Sequence, residues 1–376
     1  MMLAESAVVT LAQELIRFDT RNPPGNELAC AKMLASRLAQ AGLEVHFDEY
    51  APSRANIVAR AKGSGSAPPL VFSGHIDVVP FGEAEWEYEP LSAHIADDRL
   101  YGRGSTDMKG GVAAMIVALE QSLREGLLGR DIIIAISGGE ETGCDGAKHI
   151  ASQCGEWGEV GGLVIAEPTE NVVTLGHKGA LWLAIDVDGK AAHGAFPERG
   201  INAITRSAGL IERLNSLDLS KPEYGRPLGS PSLNIGMING GNSINSVPDH
   251  ARLTVDIRTV DADAIPLFED MVRNELDRGM KIEKLVDVPA LPIAKACPWL
   301  DSVIAKTAEV TGNSQPCASV SYFTDGGVLT PALGMPPTVI LGPGSSARAH
   351  AVDEYVLLSQ LRDSVMIYQK IMQTEI

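Results

Sequence analysis

Two polar residues of the segment FSGHIDVVP, His75 and Asp77, could take part in catalysis or metal binding. They directly follow an apolar run, and because strand side chains alternate between faces, residues two positions apart point the same way. A carboxylate behind an imidazole is the arrangement that orients a metal-bound histidine. The alternative is a histidine that is hydrogen-bonded at a strand end, beside an acid that caps a turn.

Other residues of the types that bind metals also follow apolar runs or precede a predicted helix. In a sheet that is covered by helices on both faces, ligands bind beyond the carboxyl ends of the strands. We therefore expect the polar side chains at these positions to lie along one edge of one sheet. The candidates beside His75 and Asp77 are Asp107, Glu140, Glu141, Glu167 and His350.

Each candidate also has a simpler interpretation. Asp107 could cap a helix N-terminus, and Glu140 with Glu141 could be an exposed acidic pair. Glu167 could lie in a turn, and His350 could be a surface histidine. Taken together, however, several carboxylates at one edge would repel each other unless cations neutralise them. Imidazole and carboxylate ligands without a thiolate favour two divalent ions, of zinc, cobalt or manganese.

The composition and motifs argue against several other functions. Lys and Arg total 31, whereas Asp and Glu total 48, which gives a formal net charge of −17. A nucleic-acid-binding protein needs a basic face, so we expect no nucleic-acid partner. Neither a G-x-S-x-G nucleophile motif nor a G-x-x-x-x-G-K-[ST] phosphate loop occurs in the sequence.

The cysteines and the N-terminal segment bear on cellular location. The number of cysteines is odd and no C-x-x-C spacing occurs, which favours a reducing compartment over a disulfide framework. The first residues, MMLAESAVVT, include Glu5 and lack the basic region of a signal peptide. No apolar run is long enough to span a bilayer, so we expect a cytoplasmic protein without a membrane partner.

The length of 376 residues favours two domains. Residues 1–178 and 291–376 are predicted to form a doubly wound α/β domain with a mainly parallel sheet, because their apolar runs are continuous rather than alternating. Residues 179–290 instead alternate, and their predicted order β-α-β-β-α-β is typical of a ferredoxin-like α+β domain. The second domain is therefore predicted to be inserted into the first.

Motifs along nearly the whole chain resemble those of one enzyme family, and they occur in the same order. The sequence is similar to the acetylornithine deacetylase, succinyl-diaminopimelate desuccinylase, aminoacylase and carboxypeptidase G family of dinuclear zinc amidohydrolases. The resemblance implies hydrolysis of an N-acyl amino acid, with a dipeptidase, a carboxypeptidase or a non-catalytic metal-binding relative as alternatives. The motifs are GHIDVVP, YGRGSTDMKGG, GGEETG, AEPT, AAHGAFPERGINAI, NSVP and AHAVDEY.

The resemblance also implies a role for each candidate residue. Asp107 would bridge two metal ions, His75 and Glu167 would complete one of them, and Glu141 and His350 would complete the other. Asp77 would orient His75. Glu140 would be the general base that acts on the water between the metals, and would pass the proton to the leaving amine.

Residues of the predicted inserted domain are implied as well. His193 would reach the active site of a partner subunit and stabilise the oxyanion, which requires a homodimer formed through this domain. Asn245 and Arg258 would contact the substrate, although Arg258 could equally be an ordinary arginine on an edge strand. The segment SYFTDGG departs from several relatives, because Tyr322 and Phe323 stand where those have small residues. The acyl and leaving-group preference is therefore not implied by the resemblance.

Overall fold

The computed structural model describes residues 2–219 and 228–374, which form two compact units. The first unit comprises Met1–Gly176, Ile293–Ser319 and Thr324–Ile376, and the second comprises His177–Pro292 and Val320–Phe323. The second unit thus begins two residues before the predicted boundary. It also includes Val320–Phe323, a segment that the sequence analysis placed in the first domain.

A six-stranded sheet forms the centre of the described part of the first unit. Its strands are β1 (Glu44–Ala51), β2 (Arg54–Ala61), β3 (Leu70–His75), β6 (Ile132–Ser137), β7 (Gly162–Ile165) and β14 (Thr338–Ile340), in the order β1-β2-β6-β3-β7-β14. Strands β6, β3, β7 and β14 run parallel, whereas β1 and β2 pair antiparallel at one edge. The prediction of an α/β fold with a mainly parallel sheet is confirmed.

Helices cover both faces of this sheet. Alternate residues of β6 (Ile132, Ile134 and Ile136) belong to a hydrophobic core that is shared with five of the described helices. Helix α4 (Asp145–Gln153) contacts β6 outside that core. Strands β3, β6 and β7 are buried along their whole length, which explains their continuous apolar sequence. The five helices are α1 (Met2–Ile16), α2 (Leu28–Gln40), α3 (Gly110–Glu125), α7 (Pro298–Thr311) and α9 (Leu358–Met372).

Shorter elements complete the first unit. Strands β4 (Ile95–Ala96), β5 (Arg99–Tyr101) and β15 (Tyr355–Leu357) form a small antiparallel sheet, and α8 spans Gly326–Ala332. Across the described ranges, none of the helices combines the length and the apolar character that crossing a bilayer requires.

The second unit contains an antiparallel sheet of four strands, β8 (Gly179–Asp188), β10 (Ser232–Gly240), β12 (His250–Thr259) and β13 (Met280–Val288). Their order in the sheet is β10-β12-β8-β13. The chain order of the four strands of this sheet and the two described α-helices is β-α-β-β-α-β. Together with the strand order, this is the ferredoxin-like topology that the sequence predicted. A separate two-stranded ribbon joins β9 (Ala192–His193) to β11 (Ser246–Val247). The α-helices described in this unit are α5 (Ala203–Asn215) and α6 (Ile265–Asn274).

Candidate metal centre

The five side chains that were predicted as metal ligands lie together at the carboxyl edge of the large sheet. His75 is the last residue of β3, Glu141 lies in the loop after β6, and Glu167 lies two residues beyond β7. Asp107 lies in the segment Ser105–Lys109, which directly precedes α3, and its own backbone is extended rather than helical, with φ −122° and ψ 96°. His350 comes from the loop after β14 and has a left-handed backbone conformation, with a φ of 62°.

Asp107 lies between two groups of side chains. Its Oδ1 atom is 3.2 Å from Nε2 of His75, and its Oδ2 atom is 3.3 Å from Nε2 of His350. Glu167 Oε1 is 3.5 Å from the same nitrogen of His75, and Glu141 Oε2 is 3.2 Å from that of His350. Each carboxylate oxygen of Asp107 therefore contacts one imidazole, and each of these imidazoles also contacts one further carboxylate, which is the arrangement a bridging ligand would need.

The carboxyl groups of this cluster disfavour one another's charge. Burial, together with the neighbouring Asp107 carboxylate, raises the pKa of Glu167 to about 8 and also raises the pKa of Glu141. Burial opposes the charged form of His350, but hydrogen bonds to Asp107 and Glu141 outweigh it and raise the pKa of this imidazole to about 11. The cluster thus holds more negative charge than its buried position favours, and cations would relieve that excess.

The donor set and its hydrogen bonding fit divalent metal ions. Ligand atoms of His75, Asp107 and Glu141 lie within 4.8 Å of one another. Glu141 Oε1 is buried and has no hydrogen-bond partner among the described residues, although a buried carboxylate oxygen normally has one. Nitrogen and carboxylate oxygen atoms without a thiolate are suited to zinc, cobalt or manganese.

Asp77 lies behind His75, and it uses its main chain as well as its side chain. Nδ1 of His75 is 3.0 Å from the backbone carbonyl of Asp77 and 3.5 Å from its carboxylate. A carbonyl can only accept, so Nδ1 carries the proton and Nε2 of the neutral ring is left free to bind a metal. The sequence analysis expected the Asp77 carboxylate to orient the imidazole, whereas the shorter contact is to the backbone.

The loop that carries Glu140 and Glu141 is held from both sides by residues that sequence reasoning missed. Buried Asn56 accepts a hydrogen bond from Gly138 N–H at 3.1 Å and donates one to the Gly146 carbonyl at 3.0 Å. Asp325 is also buried and accepts a hydrogen bond from the Ser137 hydroxyl, directly before the loop. Asp325 lies in the SYFTDGG segment, but nothing in the sequence indicates its partner. Glu140 itself is 5% exposed, and burial raises its pKa well above the usual range.

Two glycines bring three segments of the centre into backbone contact. A Cβ atom at Gly111 would lie 2.1 Å from the carbonyl oxygen of Ala166, and one at Gly342 would lie 2.3 Å from it. Ala166 directly precedes Glu167, and Gly111 lies four residues after Asp107. The backbones that carry two of the candidate ligands can therefore approach this closely only without a side chain at these positions.

His193 and Asn245 are neighbours in the second unit. His193 pairs with Ser246 in the β9–β11 ribbon, and the Asn245 carbonyl accepts a hydrogen bond from Gly194 N–H at 2.7 Å. Nδ1 of His193 accepts a hydrogen bond from Ala195 N–H at 3.0 Å, so its Nε2 atom carries the ring proton. Both residues are exposed within this unit.

Arg258 of the second unit is already paired with an acid. Its Nε atom is 3.1 Å from the Asp256 carboxylate, and its guanidinium lies 5.6 Å from the ring centre of Phe323. Trp182 donates a hydrogen bond to the same carboxylate at 2.9 Å and contacts Phe323 edge-on. Phe323, which the sequence analysis singled out in the SYFTDGG segment, therefore belongs to the surroundings of Arg258.

The comparison with protein families matches residues 71–374 to the model described as peptidase family M20/M25/M40. An acetylornithine deacetylase of Aliivibrio fischeri is 32% identical over 347 residues, which cover 90% of this chain and 89% of the relative. A Staphylococcus epidermidis protein, named "Probable succinyl-diaminopimelate desuccinylase", is 28% identical over 408 aligned residues, with 98% of each chain covered.

Solved structures with the same fold include two metal-dependent peptidases. An M20 family metallo-carboxypeptidase from Sulfolobus solfataricus matches with a TM-score of 0.85 and 17% identity, over 97% of this chain and 98% of that chain. A dinuclear metal-binding M20 peptidase from Bacillus subtilis matches with a TM-score of 0.70 and 14% identity, over 99% of this chain and 98% of that chain. With the family match and the curated relatives, the chain belongs to peptidase family M20/M25/M40 and is a metal-dependent hydrolase.

Proposed function

We propose that the protein removes the acyl group from an N-acyl amino acid by hydrolysing the amide bond, with two divalent metal ions in each subunit. The position of Asp107 between His75 with Glu167 and His350 with Glu141 carries this proposal. These five residues would hold the ions, with Asp107 bridging them. Zinc is the proposed metal, and cobalt or manganese would suit the same ligands.

The side chains around the centre have distinct proposed roles. Ions bound there would polarise the amide carbonyl and lower the pKa of a water molecule. Glu140 would take the proton of that water and deliver it to the leaving amine, for which its buried position and raised pKa are suited. Asp77 would keep His75 in the tautomer that presents Nε2 to the metal.

The names of the curated relatives support the substrate class. They are called acetylornithine deacetylase and succinyl-diaminopimelate desuccinylase, and each name denotes removal of an acyl group from an amino acid. The alternative is a dipeptidase or carboxypeptidase, which the fold of the Sulfolobus metallo-carboxypeptidase supports. A non-catalytic metal-binding relative is the third candidate, and the presence of Glu140 argues against it.

We also propose a homodimer that forms through the second unit. Strand β10 lies at the edge of its sheet, and its Met237 is 59% exposed. Ile204, Ile238 and Ile244 add further exposed apolar surface to the same unit. In such a dimer His193 would act on the partner's substrate, while Asn245 and Arg258 would contact the substrate. A cytoplasmic location remains a prediction, which the five free cysteines support.

A hydrolysis screen tests the proposed function. The protein is stripped with a chelator, reloaded with zinc, cobalt or manganese, and assayed on N-acetyl amino acids, N-succinyl amino acids and dipeptides. We expect activity only after reloading, and faster cleavage of an N-acyl amino acid than of any dipeptide. Faster cleavage of dipeptides would support the alternative, and a metal-loaded protein that cleaves neither class would support the non-catalytic relative.

A further inference from the structure

A buried ion pair joins the segments that carry Asp107 and His350. Arg103 and Glu354 are 1% and 0% exposed, and Nη1 of Arg103 is 2.6 Å from Oε2 of Glu354. Taking two charges out of water is costly, so a buried pair of this kind needs further hydrogen bonds to be stable. The further hydrogen bonds of the two side chains therefore show which parts of the centre the pair holds.

Glu354 uses its second oxygen to hold the backbone at Asp107. Its Oε1 atom accepts hydrogen bonds from the N–H groups of Thr106 at 2.9 Å and of Asp107 at 3.0 Å. These contacts fix the backbone of the segment Ser105–Lys109, from which the Asp107 side chain projects toward both histidines. Glu354 lies four residues after His350, so it belongs to the segment of the other candidate ligand.

Arg103 holds the backbone at His350 in return. Its guanidinium donates to the carbonyl of His350 at 3.3 Å and to that of Ala351 at 3.2 Å. It also donates to the carbonyl of Pro80 at 3.2 Å, in the segment that follows His75 and Asp77. His350 has a left-handed backbone that is unfavourable for most residues with a side chain. The hydrogen bond from Arg103 supports that conformation.

We propose that Arg103 and Glu354 are positioning residues that set the metal affinity of the centre by fixing Asp107 and His350 relative to each other. The pair contacts the backbone of both candidate ligands and of the segment after His75, but it touches none of the ligand atoms. The inference rests on the proposed function, because it takes Asp107 and His350 as metal ligands.

The test measures the dissociation constant of zinc by competition with a chromogenic chelator, for the whole protein and its variants. Glu354→Gln replaces one acceptor by an amide N–H donor that would face Arg103. Arg103→Lys keeps the charge but cannot reach all four acceptors. We expect zinc to bind about 10- to 100-fold more weakly in both variants, as is usual when the residues behind metal ligands are changed. Activity should recover as the metal concentration is raised.

The ion pair formed by Arg37 and Glu120, whose side chains are more exposed at 30% and 17%, provides a control. It joins α2 to α3 in the same unit with two hydrogen bonds, of 2.7 and 2.9 Å, and contacts none of the candidate ligand segments. Glu120→Gln should leave zinc binding unchanged. If the Glu354→Gln variant does not fold, the zinc dissociation constant of the Arg103→Lys variant tests the proposal. A folded variant that binds zinc as tightly as the wild type would overturn this inference alone, whereas a wild type that binds no divalent metal would overturn the proposed function.

Discussion

The carboxylate of Asp77 accepts a hydrogen bond from the backbone N–H of Glu140 at 3.1 Å. It accepts two more, from the backbone N–H of Glu141 at 3.2 Å and from the side chain of Asn22 at 2.9 Å. One residue thus holds the imidazole of His75 through its backbone and the loop of the proposed base and ligand through its side chain. This link between two parts of the centre could not be read from the spacing of His75 and Asp77.

Asp77→Asn should lower kcat about 10- to 100-fold, because an amide has one acceptor oxygen for three donors. The measurement is kcat at saturating metal. Asp131→Asn is the control, since Asp131 also accepts a hydrogen bond from a backbone N–H, that of Gly63 at 3.1 Å, but lies at the opposite end of β6. Equal kcat values for the two variants would contradict the proposed role of the Asp77 carboxylate.

Glu140→Gln should keep the metal and lose turnover by about 10²- to 10⁴-fold, because it removes the base and leaves the five candidate ligands in place. Metal content is measured on the same preparation as kcat. A variant with near-normal kcat would show that another group accepts the proton.

Asn56→Asp should lower kcat, whereas Asn171→Asp should not. Both residues are 2% exposed, and each accepts one hydrogen bond and donates one to a backbone carbonyl. Both variants should therefore lose a similar stability, about 1–3 kcal/mol. Asn56 holds the loop of Glu140, and Asn171 does not. Thermal unfolding measures the loss of stability in both variants. A similar fall of kcat in both variants would argue against a positioning role of Asn56.

Mixing inactive His193→Ala and Glu140→Gln chains should restore activity if His193 acts in the partner's site. One site of each mixed dimer would then be intact, so activity should reach at most about one quarter of the wild-type value. The mixture is assayed after subunit exchange has been verified by mass labelling. Activity that does not rise despite exchange would contradict the proposal that His193 acts in the partner's site.

Arg258→Ala should reduce the preference for a substrate with a free carboxylate over the corresponding amide by about tenfold, the lower end of a charge-assisted contact. The effect is expected to be small because Asp256 already binds the Nε atom. Arg258→Lys should keep only part of the wild-type preference for the free carboxylate, since an ammonium lacks the planar fork of the guanidinium. The comparison uses kcat/KM for both substrates, and an unchanged preference would show that Arg258 is structural.

Strand pattern and chain order were sufficient to place His75, Glu141 and Glu167 at one edge of the sheet. The buried runs identified the strands, and the carboxyl end of a parallel strand is where the chain leaves the core. The assignment of His350 and Glu141 to the same metal ion came from the resemblance to the enzyme family, because no local sequence pattern indicates it. Within the described residues, this grouping agrees with the geometry around Asp107.

The residues that hold the ligands could not be predicted in the same way. Arg103 and Glu354 are 251 positions apart, and Asn56 is 90 positions from Gly146, so only the folded chain shows which partners they have. Helix α4 has no strong sequence signal, because its sequence, DGAKHIASQ, is short and has few apolar residues. Val320 joins the second unit through a hydrogen bond from Lys178 N–H to its carbonyl, which its sequence does not indicate.

The contact of Gly111 and Gly342 with the Ala166 carbonyl has a consequence for redesign of this enzyme. The distance between the segments of Asp107 and Glu167 is set by main-chain atoms, and no choice of rotamer can adjust it. A designer who wants a wider separation of the proposed metal positions would have to change the length or path of a loop.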